Sequence, residues 1–352
     1  MSKYMCRGRI ASGLSSRARA DRMPFMKHRS AQTHAASGEL ALLKRLTAKL
    51  PSRSDVIAGP GDDCAIVRPA GPGRYDYLLK SDSLVQDVHF SMAAAPELVG
   101  RKALGRVLSD FAAMGGEPLW ALVDLVAPPG LSFGRLERVY AGINSLARRF
   151  KVAIVGGDIS AGRDLQLHVF GAGRLKKGGA VLRSGARAGD ALFVTGSLGG
   201  SLAGRHLSFT PRLSEGQWLA RGKWATAMID VSDGLLRDLG HMLKASKAGA
   251  RLDLGAVPVS PAARKDGARK ALEHALGDGE DYELLFTVPG GKIKTFLAAW
   301  RRNFSLSCRQ IGRITPSRGE VTGTDAAGKI TWLGDAGYEH FLRGKVRGGR
   351  QK

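Results

Sequence analysis

Cysteine is scarce in this 352-residue chain: Cys6, Cys64 and Cys308 are an odd number with no paired spacing. That argues against a disulfide framework or a zinc module built on cysteine pairs, and it suits a reducing cytoplasm. No uninterrupted apolar run is long enough to span a membrane. Residues 1–38 lack the apolar core of a secretory signal. The loop G-x-x-x-x-G-K-[ST] does not occur, and the glycine-rich stretches never complete G-x-G-x-x-G. A P-loop kinase and a Rossmann dehydrogenase are therefore disfavoured. With no G-x-S-x-G elbow, an acyl hydrolase is disfavoured too.

Acid is the minority sign, with 31 Asp and Glu against 54 Lys and Arg, a net charge of +23. The excess is uneven. Residues 1–38 carry +7 and residues 343–352 carry +5. Basic arms of this kind are solvated and hold polyanions without reading them, so no specific nucleic-acid partner is expected. The first arm is acid-poor like an organelle transit peptide, while Met23 and Met26 leave a later start open. Its expected state is a disordered extension.

The few acids that are present stand at unusual places. Gly59–Phe90 sets Asp62 and Asp63 side by side in a glycine-rich turn, then Asp82 just past a strand expected over Tyr77–Lys80, then His89. Adjacent carboxylates repel, and burying them unpaired raises their pKa. Either they cap backbone amides in a turn, or a cation neutralises them. Helical spacing predicts a helix over Glu39–Leu50, and a second from Pro96 to the Gly115-Gly116 stop. Asp110 falls near the C-terminal end of that second helix, where it opposes the helix dipole; Arg106, one turn earlier, is the ion-pair alternative to a metal.

Strand-then-helix rhythm continues through a strand at Leu119–Val126, a helix at Leu131–Phe150 and a strand at Val152–Val155, which runs into Gly156-Gly157-Asp158. Gln166–Phe170 alternates like a half-buried strand, and Lys176–Gly179 reads as an exposed turn and domain boundary. Asp190–Thr195 is a strand entering GSLGG, and a strand over Trp224–Val231 feeds Ser232 and Asp233, one of them favoured as a helix N-cap. Glu280 then precedes an apolar strand at Glu283–Val288. Six places thus put acids at turns or element ends, with no His or Cys cluster beside them. Hard oxygen donors favour Mg2+ over zinc, and several Mg2+ ions suggest a polyphosphate that completes their coordination. The glycine-rich turns bring backbone N–H groups within reach of phosphates.

Seven blocks occur in order: GDDCAIV, KSDSLVQDVHF, LSDFAAMGG, GGDIS, TGSLG, IDVSDGL and GEDYELLF. Over about residues 38–341 they resemble thiamine-monophosphate kinases, of the ATP-using superfamily of aminoimidazole ribonucleotide synthetase and selenophosphate synthetase. That resemblance implies an α/β (α+β) fold of two domains, 39–175 binding ATP and Mg2+ and 176–342 completing the chain. It also implies a homodimer in which two N-terminal sheets form a barrel, cytoplasmic and without membrane contact.

The implied reaction is ATP-dependent phosphorylation of thiamine monophosphate to thiamine diphosphate, the last step of thiamine diphosphate biosynthesis. By the same resemblance, Asp63, Ser81, Asp82, Asp110, Asp158, Asp230 and Asp233 are the metal ligands. Tyr140, Gly157, Arg183 and Ser232 would hold ATP, and His89, Glu280 and Tyr338 would contact thiamine monophosphate. Asp62 would orient its neighbour. No general base is expected, because the acceptor is a phosphate oxygen already anionic near neutral pH. Lys80 stands where the family commonly has a hydroxyl residue, and QDVHF and GGDIS replace its usual EGVHF and GGDTS. Selenophosphate synthetase, the nearest rival, calls for a reactive Cys in a glycine-rich N-terminal stretch; Cys6 between Met5 and Arg7 is a poor match.

Overall fold

The computed structural model describes residues 38–333, apart from position 326, so both basic arms and Tyr338 lie outside the described residues. Two seven-stranded sheets organise the chain. Helix α1 (Gly38–Thr47) comes first, then β1 (Val56–Ala58), β2 (Ala65–Val67), β3 (Tyr75–Val85), α2 (Pro96–Met114), β4 (Glu117–Ala127) and α3 (Phe133–Phe150). The short strands β5 (Ala153–Gly156) and β6 (Ile159–Ala161) and the long β7 (Gln166–Lys176) complete the first sheet. Its order is β1-β2-β3-β7-β4-β5, with β6 also on β4, and it runs open without closing on itself. All pairings are antiparallel except those of β4 with β5 and β6.

The α2 helix forms because apolar residues recur on one side from Val99 to Phe111, and it ends where Gly115 takes a left-handed conformation. Leu104, Leu108 and Phe111 are fully buried, each worth about 1.5–3 kcal/mol against exposure. Close approach of α3 requires glycine on both helices: a Cβ on Gly100 would lie 1.9 Å from the Val139 carbonyl oxygen, and one on Gly142 1.9 Å from that of Glu97. The first helix forms as expected, but Leu43 and Leu46 on its apolar stripe stay exposed.

The second half begins with β8 (Ala191–Thr195), followed by α4 (Arg205–Ser208), α5 (Leu213–Arg221), β9 (Met228–Val231), α6 (Leu235–Ser246) and β10 (Gly249–Asp253). Next come α7 (Ala268–Gly277), β11 (Glu283–Val288), α8 (Ile293–Asn303), β12 (Cys308–Thr315), β13 (Val321–Thr324) and β14 (Ile330–Trp332). Sheet order is β14-β13-β10-β12-β8-β11-β9. Every residue of β8 and β11 is buried, since helices cover both faces: Phe193 and Phe286 point to the α5 and α8 side, Leu192, Val194 and Leu285 to the α6 side. One apolar cluster runs without a break from Leu78, Val107 and Phe111 to Phe286, Phe296 and Trp300, so α2 joins the two sheets. Among the described residues, no helix is long and apolar enough to cross a membrane.

Two local expectations fail. The strand expected to stop at Lys80 continues to Val85, because β7 pairs with it along its whole length, Asp82 opposite Val169. Asp82 is therefore inside a strand and not past its end. The strand expected over Trp224–Val231 is confined to Met228–Val231.

Candidate active site

At the junction of the two sheets, three carboxylates from distant parts of the chain converge. Asp63 comes from the turn before β2, Asp110 from α2 and Asp230 from β9, and one oxygen of each lies within 4.8 Å of the others. All three are buried. Burial pushes the Asp230 carboxyl up to about 7, with the charge of Asp63 adding to it, although Ser109 Oγ donates to Asp230 Oδ2 at 2.6 Å. Burial likewise pushes Asp110 well above the usual carboxylate range; Lys80 opposes that shift, and Asp82 and Asp230 reinforce it.

Basic side chains compensate only part of this charge. Lys80 Nζ is 3.0 Å from Asp110 and 3.9 Å from Asp82, and Arg183 donates to Asp63 Oδ1 at 2.8 Å. Arg106, the ion-pair alternative to a metal at Asp110, instead lies 3.8 Å from Asp82 and donates to the Ser83 carbonyl at 3.1 Å. The cation beside Asp110 is Lys80, because strand alternation aims Lys80 and Asp82 at the same face, toward α2. Burial works to raise Asp82, but Lys80 and Arg106 outweigh it and hold the carboxyl below its ordinary range.

One acceptor is left over. Asp63 Oδ2 is buried with no hydrogen-bond partner among the described residues. A buried carboxylate oxygen without a donor is costly, and three clustered carboxylates with one orphaned oxygen fit a hard divalent cation. Asp62 is engaged elsewhere, accepting the backbone N–H groups of Asp63 at 3.0 Å and Arg183 at 3.2 Å. Its carboxyl is pushed up to about 6, by burial first and by Asp63 second.

The remaining expected residues fall into separate groups. Ser232 and Asp233 follow β9 at the start of α6, yet neither side chain caps that helix. Gly234 stands at the N-cap, and Asp238, one turn in, reaches back so that its Oδ2 accepts the N–H groups of Ser232 and Asp233 at 3.0 Å and of Gly234 at 3.2 Å. Asp233 lies 3.5 Å from Arg237, and it also groups with Asp238 and His241. Ser81 alternates to the face of the first sheet opposite Lys80 and Asp82. Asp158 is exposed, accepts from Ser160 Oγ at 3.3 Å, and offers its carbonyl to the Leu125 N–H. Gly157 beside it has φ +152°, and a Cβ there would meet the Val123 carbonyl oxygen at 1.9 Å, so only glycine fits. Tyr140 is half-buried on α3, its hydroxyl raised by burial and then by Asp124. Among the described residues, no hydrogen bond or ion pair ties Ser81, Tyr140, Gly157 or Asp158 to the three-carboxylate cluster.

His89 and Glu280 lie close together through a residue that the sequence did not single out. Val85 N–H donates to His89 Nδ1 at 3.0 Å, while Lys102 Nζ reaches both the His89 carbonyl at 2.8 Å and Glu280 Oε2 at 2.6 Å. The available signal was a lysine three residues after Val99, at core spacing on an otherwise apolar helix face.

The AIR synthase related protein N-terminal domain matches residues 61–175, and the C-terminal domain of the same description matches residues 204–324. The thiamine-monophosphate kinase of Salmonella typhimurium is 39% identical over 282 residues, covering 72% of this chain and 83% of that one. That of Haemophilus influenzae is 31% identical over 334 residues, covering 88% and 100%. Among solved structures, AaThiL complexed with AMPPCP and TMP superimposes with a TM-score of 0.76 at 31% identity, covering 89% of this chain and all of that one. The thiamine-monophosphate kinase of Stenotrophomonas maltophilia K279a gives 0.66 at 31% identity, covering 82% and 96%. By sequence, by domain content and by fold, this chain belongs to the thiamine-monophosphate kinase family.

Proposed function

We propose that this kinase transfers the γ-phosphoryl group of ATP directly to thiamine monophosphate, giving thiamine diphosphate and ADP as the last step of thiamine diphosphate synthesis. The observation that carries the reading is the convergence of Asp63, Asp110 and Asp230 with an orphaned carboxylate oxygen. These three would hold one Mg2+, while Ser81, Asp82, Asp158 and Asp233 would be oxygen donors to further Mg2+ ions on the polyphosphate. Bound Mg2+ neutralises phosphate charge and polarises the transferring group. Its relatives' shared activity and the AMPPCP and TMP of AaThiL support the same two substrates.

The chain's own residues then have simple roles. Asp62 and Asp63 fix Arg183 through its backbone and its guanidinium, so a preorganised cation stands beside the phosphates. Gly157, Tyr140 and Ser232 complete the ATP site. His89 and Glu280, with Tyr338 beyond the described residues, contact thiamine monophosphate. The acceptor oxygen is already anionic, so alignment and charge cancellation suffice, and no general base is needed. Residues 39–175 and 176–342 serve as the two domains. The test is formation of ADP and thiamine diphosphate in equal amounts, abolished by EDTA and restored by Mg2+. Folded, ATP-binding protein that makes no thiamine diphosphate would assign it another acceptor.

The reading includes a homodimer built on the open face of the first sheet. Leu122 on β4 and Phe170 on β7 are register partners, 39% and 37% exposed, and Trp120 beside them is 46% exposed. A contiguous apolar strip of this kind marks an interface, and a second copy can cover it by two-fold symmetry. Leu122→Asp is expected to halve the mass measured by light scattering, while the far-UV circular dichroism stays that of the folded chain. A dimeric variant would move the interface elsewhere.

A further inference from the structure

The Lys102 side chain, paired with Glu280, has none of its surface exposed. Burying an ammonium is strongly unfavourable unless its protons are all matched. Here they are. An ammonium has three donors and no acceptor, and Nζ lies 2.8 Å from the His89 carbonyl oxygen, 2.8 Å from His206 Nδ1 and 2.6 Å from Glu280 Oε2. His206 accepts at Nδ1, so it is neutral with its proton on Nε2. Burial, and then the charge of Lys102, hold it down to about 4.

The other side of Glu280 is braced as well. Tyr282 OH donates to the same Oε2 at 3.0 Å, and its ring stacks on Phe209 at 3.9 Å between centroids. Glu280 and Tyr282 both adopt left-handed backbone, φ 60° and 52°. Their N–H groups are pinned to the carbonyls of Ser232 at 2.7 Å and Val231 at 2.8 Å. Backbone held in so sparsely populated a region persists only where its surroundings impose it, and such residues cluster at ligand sites. Lys102 and Tyr282 thus both engage Oε2, and neither takes Oε1.

We propose that Lys102 is a positioning residue for the acceptor: from α2 it locks the His89 segment and the Glu280 carboxylate into one pocket wall and leaves Glu280 Oε1 for thiamine monophosphate. This rests on the proposed contact of His89 and Glu280 with that substrate. Were Lys102 there for stability alone, an apolar residue of similar volume would serve as well or better. A lysine with three matched acceptors, two of them on segments from different sheets, instead sets the distance between those segments.

The test is steady-state kinetics on Lys102→Met, Glu280→Gln and the double variant, varying thiamine monophosphate and ATP separately. Lys102→Met is expected to raise KM for thiamine monophosphate about 10- to 100-fold and to move KM for ATP by less than about threefold. In the Glu280→Gln background the same change is expected to move the acceptor KM by less than about threefold, because the charge it positions is already gone. Equal rises in both KM values, or additive effects in the double variant, would overturn the proposal. If Lys102→Met alone does not fold, the double variant carries the test against Glu280→Gln: a further rise of about tenfold in the acceptor KM overturns the proposal, and a matching KM supports it. A wild-type chain that makes no thiamine diphosphate would overturn both this and the substrate assignment, whereas an active wild type with an unaltered acceptor KM in Lys102→Met overturns the Lys102 role alone.

Discussion

Asp230→Asn is expected to lower kcat/KM for thiamine diphosphate formation by about a hundred- to a thousand-fold while the chain stays folded. The side chain keeps its shape, and the amide oxygen can still accept from Ser109 Oγ, which lies 2.6 Å from Asp230 Oδ2. What disappears is one of three carboxylates whose oxygens converge within 4.8 Å, and with it the charge that Asp230 carries when ionised. In the metal-free protein that charge is a burden. Burial and Asp63 push the Asp230 carboxyl from 3.8 up to about 7, so ionising it costs the fold stability as pH rises through that interval, and the cost persists above it. Metal-free Asp230→Asn is therefore expected to melt at or above the wild-type temperature near pH 8. Added Mg2+ should raise the melting temperature of the wild type more than that of the variant, because a cation bound only to the folded state stabilises it by mass action. Calorimetry with and without Mg2+, beside the turnover assay, reads both effects. A variant with wild-type turnover at saturating Mg2+ would take Asp230 out of the metal site.

Glu283→Ala is expected to destabilise the second half by about 3–5 kcal/mol without touching the cluster of acids. Glu283 is fully buried at the start of β11 and anchors two arginines: Arg212 donates to it through two nitrogens at 2.8 and 2.6 Å, and Arg205 at 3.1 Å. Thr195 Oγ1 on β8 donates to Oε2 at 2.7 Å, and its own oxygen takes the Leu284 N–H at 2.9 Å. Truncation takes the carboxylate from the part-buried Arg212 guanidinium, leaves Arg205 with Asp281 as its acidic partner, and empties the bend at Gly196, where the carboxylate fills the space a Cβ would need. Glu283→Gln, which keeps the shape and most acceptors, should lose less. Trp218, Trp224 and Trp300 form one aromatic cluster with Phe296 against this sheet, so tryptophan fluorescence during urea unfolding reports the change. An unchanged midpoint in Glu283→Ala would show that Asp281, which also pairs with Arg205 at 2.9 Å, carries the network by itself.

Much of this was legible in the residues. Val99 to Phe111 and Leu235 to Leu243 carry an apolar face at helical spacing, and both helices form there. The mostly apolar runs at β8 and β11 were read as strands and form them, and the helices packed on either side bury both faces. Acids at turns and element ends pointed to the site, although a turn carboxylate can equally accept backbone N–H groups, as Asp62 does. The resemblance of seven ordered blocks placed the chain in its family, and relatives matching 72% to 89% of the chain agree.

Tertiary structure decided which acids meet and which cations stand beside them. Lys80, Arg106 and Lys102 all look alike in sequence; strand alternation and helix phase give them to Asp110, Asp82 and Glu280 respectively. The N-cap of α6 at Gly234 in place of Ser232 or Asp233, with Asp238 holding the turn before it, and the extension of β3 through Asp82, were equally out of reach. Local spacing determines a helix or strand, because those hydrogen bonds close within a few residues or along one register. Pairings across 23 to 178 positions, such as Arg106 with Ser83 or Lys102 with Glu280, depend on how α2 lies against both sheets, and only the packed core sets that.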